Sequence, residues 1–261
     1  MQKIMKLWVI AWALFASIAI AADNSIYIDQ TGDDSTIDIT QTGAGNVVRG
    51  IQTGGSSGNQ VRAKMYGSDS TVDIRQIGSN NILNLGYDVT KAAGMSYGID
   101  LTYYMTGNNG TAVFNINNAG TGTAASNLID VQQNGNYAGI NLNMLGSKNS
   151  FIATTAGGTY NTITATVNAD ETNTNIAVSG GGSNGITLNL TSSKATNDID
   201  IVGASNTLSL TQSGTATNGH NFTWNLTGSS NTATVTQGGT DGTINVLSSG
   251  SGNTWNITTG N

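Results

Sequence analysis

The sequence predicts an all-β solenoid, and three observations carry that expectation. A short unit recurs: residues 23–54 read DNSIYIDQTG, DDSTIDITQTG and AGNVVRGIQTG, so Gln30, Gln41 and Gln52 lie 11 positions apart. Within each unit apolar and polar residues alternate, the period-two pattern of a strand buried on one face. The chain has 35 glycines and no proline, where average usage supplies about a dozen prolines. Each proline would remove a donor from a backbone ladder. A unit of one strand and one turn cannot bury its own face, so it must stack on copies of itself.

The charges set the phase. Counting back in twos from the closing glycines gives Gln30, Ile28, Ile26 and Asn24; Gln41, Ile39, Ile37 and Ser35; and Gln52, Gly50, Val48 and Asn46. Asp29, Asp38, Thr40 and Arg49 fall between. Successive strand side chains point to opposite faces, which predicts that the first set points inward. A buried amide is costly unless paired, and amides stacked at one height in every coil can pair with each other. The expected inward Gln ladder is Gln30, Gln41, Gln52, Gln76, Gln133, Gln212 and Gln237. The expected inward Asn/Ser ladder is Asn24, Ser35, Asn46, Ser70, Asn81, Asn206, Asn231 and Asn253, and the expected turn glycines are Gly32, Gly43, Gly54, Gly78, Gly214 and Gly239.

This spacing of Ser/Asn, Ile, Gln, Gly and Asn/Ser resembles the curlin repeat of the curli-type functional amyloid subunits of Gram-negative bacteria. The likeness is close over 24–52 and 70–81, and recurs at 206–214 and 231–239. It implies coils of about 22 residues, two strands and two turns each, and an extracellular amyloid fibre of the biofilm matrix. It also implies a nucleator or chaperone subunit of the same repeat type as a partner. Curli subunits carry a Gln/Gly-rich segment before their repeats for outer-membrane export, whereas here the repeats begin almost at once.

Residues 1–22 read as a secretory signal: Lys3 and Lys6 precede LWVIAWALFASIAIA, and Ala19-Ile20-Ala21 offers an A-x-A cleavage site. A secreted protein, extracellular or at a bacterial surface, with no membrane contact after cleavage, is the expectation. Residues 23–261 then form one repeat domain. The formal charge of −6 gives no basic footprint for nucleic acid. With no cysteine, disulfides do not hold the exported chain together.

In order, residues 60–66 and 70–77 continue the strands, and 86–98 (GYDVTKAAGMSYG) break the register as an irregular insertion. Strands resume at 99–106, 112–117 and 127–134, and Met144 replaces the Gln in NYAGINLNMLG. Glycine-rich turns separate the strands over 170–203, and regular units follow to 254–259. Both ends read as ordinary repeats, so Ile26, Ile28, Trp255 and Ile257 are the expected polymerising edges, with the partner a second copy of the chain. A head-to-tail contact of that kind is heterologous and does not close.

Catalysis has little to stand on, and no cofactor or metal is expected. The single His, His220, reads as a solvated turn residue without a His cluster or a Ser-His-Asp arrangement near it. The Asp33-Asp34 pair lacks the Gly-Gly-x-Gly-x-Asp calcium repeat. Outward charges read as gatekeepers against lateral aggregation. Two rival functions remain at this level: a non-polymerising solenoid adhesin or fibre stalk, and an ice-binding solenoid. The latter would use outward ranks at Thr162/Thr164/Thr166, Thr187/Asn189/Thr191, Thr207/Ser209/Thr211, Thr223/Asn225/Thr227, Thr232/Thr234/Thr236 and Thr254/Asn256/Thr258.

Overall fold

The structure, a computed structural model, describes residues 25–260 apart from 32–35, 43–44, 55–59, 67–69, 78–80, 89–98, 107–109, 118–125, 135–136, 138, 158–159, 181, 214–219 and 239–241. The expected signal segment lies outside the described residues. Every described element is a strand: β1 Ser25–Thr31, β2 Thr36–Thr42, β3 Val47–Gly54, β4 Gln60–Tyr66, β5 Ser70–Ile77, β6 Ile82–Asp88, β7 Ile99–Thr106, β8 Thr111–Asn117 and β9 Ser126–Asn134. Three long strands follow, β10 Gly139–Ala156, β11 Thr162–Ser179 and β12 Gly185–Val202. The chain ends in β13 Thr207–Ser213, β14 Asn221–Thr227, β15 Thr232–Gln237, β16 Thr243–Ser249 and β17 Thr254–Thr259.

All pairings are parallel and they form two ladders. The first face runs β1, β3, β5, β7, β9, then the C-terminal halves of β10, β11 and β12, then β14 and β16. The second runs β2, β4, β6, β8, the N-terminal halves of β10, β11 and β12, then β13, β15 and β17. One strand from each face makes a coil, and the coils stack into a β-solenoid. Ser25 pairs with Val47, 22 positions on, and Asn221 pairs with Thr243 at the same interval. Wider coils occur in the middle, where Ser70 pairs with Ile99. The surplus falls in stretches outside the described residues.

The alternation seen in the sequence is the alternation of burial. In β2 Ile37, Ile39 and Gln41 are buried, while Thr36, Asp38 and Thr40 are exposed. Facing strands press Ile74, Leu83, Phe114, Val131, Leu188 and Trp224 into one core along the stack. Full burial of each aliphatic contributes about 1.5–3 kcal/mol, and only the neighbouring coils can provide it.

Two expectations are corrected. The break at 86–98 begins later, because Gly86, Tyr87 and Asp88 still pair with Lys64, Met65 and Tyr66; residues 89–98 are outside the described set. Gln52 is the second. The register shifts between Val48 and Ile51, so Gln52 pairs with Asp29 and Arg75, and Thr53 takes the level of Gln30 and Gln76. The cause is Gly50, at φ +67°, a left-handed conformation that inserts one residue as a bulge. Tyr27 covers it: a Cβ at Gly50 would lie 2.2 Å from the tyrosine ring.

Candidate functional site: inner columns and terminal edges

The Asn column exists, and it works through the backbone. On the second face Asn161, Asn184, Asn206, Asn231 and Asn253 stand one above another just before successive strands. The Oδ1 of each of the last four accepts the backbone N–H of the Asn one coil earlier, at 3.1, 2.9, 2.8 and 3.0 Å in chain order. Asn184 and Asn231 also donate Nδ2 to the next Oδ1, at 2.8 and 3.2 Å. Each carboxamide therefore satisfies a buried donor at the corner, where the ladder has not yet begun. Sequence reasoning placed Asn206, Asn231 and Asn253 here and missed Asn161 and Asn184. Both precede the same alternating run, in NTITATV and NGITLNL, which is the signal that could have found them.

On the first face the column is mixed. Asn46 and Ser70 are buried at matching levels, followed by Ile99 and Asn127. Asn127 donates Nδ2 to Asn149 Oδ1 at 2.8 Å. Thr172, Ala195 and His220 complete it. Asn81 is buried on the second face, while Asn24 and Ser35 lie outside the described residues. His220 is thus no solvated turn residue. It is fully buried, and its Nδ1 accepts the Ala195 N–H at 3.2 Å, the role an Asn Oδ1 plays elsewhere. Burial pushes the imidazole below its ordinary range.

The Gln ladder is corrected. Gln76 is level with Met105, and Met105 with Gln133; Gln41 is level with Met65. Units 11 residues apart sit on opposite faces, so glutamines consecutive in sequence do not stack. Among the described residues only Gln212 and Gln237 share adjacent levels. The glutamines are buried as expected, but they brace corners within a coil. Gln41, Gln76 and Gln133 donate Nε2 to the carbonyls of Val47, Ile82 and Gly139, each six residues on, at 3.5, 3.2 and 3.4 Å. Gln237 donates to the His220 carbonyl at 3.1 Å. Gln76 Oε1 also accepts from the buried Tyr103 hydroxyl at 2.6 Å. The side chain of Gln30 is outside the description.

Of the expected turn glycines, Gly54 is the last residue of β3, paired with Thr31. Gly32, Gly43, Gly78, Gly214 and Gly239 fall outside the described residues. The glycines that set a corner are others. A Cβ on Gly228, at φ +136°, would meet the Gly203 carbonyl oxygen at 1.8 Å, and one on Gly250 would meet that of Gly228 at 1.9 Å. Backbones stack so closely there that only glycine fits.

The terminal rungs differ from the interior. Among the described residues β1 and β2 pair on one side only, with β3 and β4; β16 and β17 pair only with β14 and β15. Ile26 and Ile28 are half-buried against the core, as are Ile244, Val246 and Trp255. Trp255 packs edge-on against Trp224 with centroids 4.8 Å apart. Ile257 is 47% exposed and Leu247 68%. The ends match in geometry: Thr243 and Thr254 are 11 positions apart, as are Ser25 and Thr36.

The Thr ranks are sorted by face. Four of the expected triplets that open β-strand rungs, together with Thr187, Asn189 and Thr191, stack on the second face. Thr223, Asn225 and Thr227 belong instead to β14 on the first, because one unit in two lies on each side. That first face carries a shallow groove holding Lys148, Glu171 and Lys194 in register. The Lys148–Glu171 pair is 3.8 Å apart and about half exposed, a geometry that contributes little to stability.

No family model, curated protein or solved structure matches this chain. The class defined by its own geometry is the parallel two-faced β-solenoid.

Proposed function

We propose that the protein is a secreted structural subunit that polymerises head to tail through its terminal coils into curli-like extracellular amyloid fibres. The observation that carries this reading is the state of the two end rungs: β1/β2 and β16/β17 each offer unpaired backbone groups and half-buried apolar side chains. A rung with one neighbour forfeits half of its ladder hydrogen bonds and packing, and an unblunted strand edge is a template for another strand. The equal spacing of 11 residues lets both faces join at once, β16 against β1 and β17 against β2. Ile244 and Val246 then meet Ile26 and Ile28, and Trp255 and Ile257 meet Ile37 and Ile39. The contact is heterologous and open, which yields a filament.

The test is incubation of the purified chain lacking residues 1–22 with an amyloid dye and imaging by electron microscopy, beside a chain bearing a charged helical cap after Asn261. The uncapped chain forms fibres and the capped one does not. Equal rates for the two would overturn the end-to-end mechanism.

A further inference from the structure

The outer surface of the second face has a property that the head-to-tail mechanism does not use. From β8 to β17 its outward positions form three straight columns, beginning at Thr111, Val113 and Asn115 and ending at Thr254, Asn256 and Thr258. No register shift interrupts any of the six pairings between those rungs. Every one of these side chains is at least half-exposed, and none is charged. The first face of the same coils holds Asp130, Lys148, Glu171, Lys194, Asp198 and Asp200. The charges on the second face are confined to its other end, where Arg62 stands 3.8 Å from Asp38. At the corner of the uncharged region Tyr137 and Tyr160 stack in parallel with centroids 5.7 Å apart, both about half exposed.

We propose that this face joins solenoids side by side, the occupant being the same face of a second copy of this chain. A flat, uncharged β surface rich in β-branched residues is the kind that interdigitates with a copy of itself, and a protected strand surface would carry charges to prevent that. The size of the patch sets when it acts. Seven rungs about 4.8 Å apart and three columns about 7 Å apart cover roughly 400 Å². A stable protein–protein interface needs about 800 Å² per partner. Two single molecules therefore do not pair. Two fibres do, because each subunit added extends the same stripe and the contacts sum along the filament. The proposal rests on the fibre reading above and adds to it a bundling step that follows elongation.

The experiment compares the unaltered chain with Thr164→Lys/Thr234→Lys, with Thr164→Glu/Thr234→Glu, and with the first-face control Asn175→Lys/Thr223→Lys. Elongation is followed by dye binding and fibre width by electron microscopy. The unaltered chain and the control form bundles. Each second-face variant elongates at an unaltered rate but gives single filaments, and mixing preformed Lys and Glu filaments restores bundles. That restoration cannot come from misfolded chains. Bundling of either second-face variant alone, or no bundling on mixing, overturns the proposal. So does unchanged bundling with a freezing hysteresis that only the second-face variants lose, which would assign the face to ice. Absence of fibres from the unaltered chain overturns the fibre reading itself, a result distinct from the others.

Discussion

Replacing Asn231 by Ala tests whether the inner Asn column holds the coils together. Asn231 is buried, its Oδ1 accepts the Asn206 backbone N–H at 2.8 Å, and its Nδ2 donates to Asn253 Oδ1 at 3.2 Å. Truncation leaves the Asn206 N–H buried without an acceptor, which costs about 1–3 kcal/mol, and removes a second bond worth about 1 kcal/mol net. Asn253 is only partly buried, so its freed oxygen returns to water. The expected loss is about 3 kcal/mol, a factor of roughly 150 in equilibrium constant. Hydrogen exchange reads it directly: the Asn206 amide should exchange about two powers of ten faster, with a matching fall in the urea midpoint. A loss below about 1 kcal/mol, or one that leaves the Asn206 amide protected, would refute the assignment.

Gln212 makes no hydrogen bond among the described residues although it is buried; Gln212→Leu should be neutral or stabilising by urea denaturation, because no paired amide is lost. Gly228→Ala should cost more than about 1 kcal/mol in the same assay, since the added methyl meets the Gly203 carbonyl at a φ that L-residues avoid. His220 should make stability fall in acid. Its imidazole is held neutral in the fold, so above about pH 6.5 there is no penalty. Below that, the unfolded chain takes up a proton that the folded chain refuses until the lower folded pKa is reached. His220→Asn should keep the bond from Ala195 and flatten the dependence; an unchanged acid slope of the melting temperature would exclude His220 as its source.

What was legible in the sequence was the alternation, and with it the fold. Ile37, Ile39 and Gln41 were placed inside by period alone, and they are inside. What was lost was the second dimension. An interval of 11 gives the height of a unit along the chain but not which side of the coil it occupies, so Gln41 and Gln76, on different faces, were read as one ladder. The bulge at Gly50 was invisible because its glycine already stood at an inward position, and one inserted residue moved Gln52 out of register. His220 was misread for the opposite reason. A lone His beside glycines looks like a turn, yet its place before NFTWNLT is that of Asn before every other strand. The same sorting by face separated Thr223 from the Thr ranks and left an uncharged surface that the linear sequence does not display.

The central claim is that β17 of one molecule continues into β2 of the next with Asn256 level with Asp38. Because the chain has no cysteine, Asn256→Cys and Asp38→Cys chains can be mixed, assembled and oxidised. Rungs about 4.8 Å apart lie within the Cα separation a disulfide requires. The account predicts Asn256–Asp38 cross-linked dimers in fibres grown from the mixture, and none from unassembled chains or when Cys is moved from 38 to 64. Fibres that form without that cross-link, or that link equally through position 64, would contradict it.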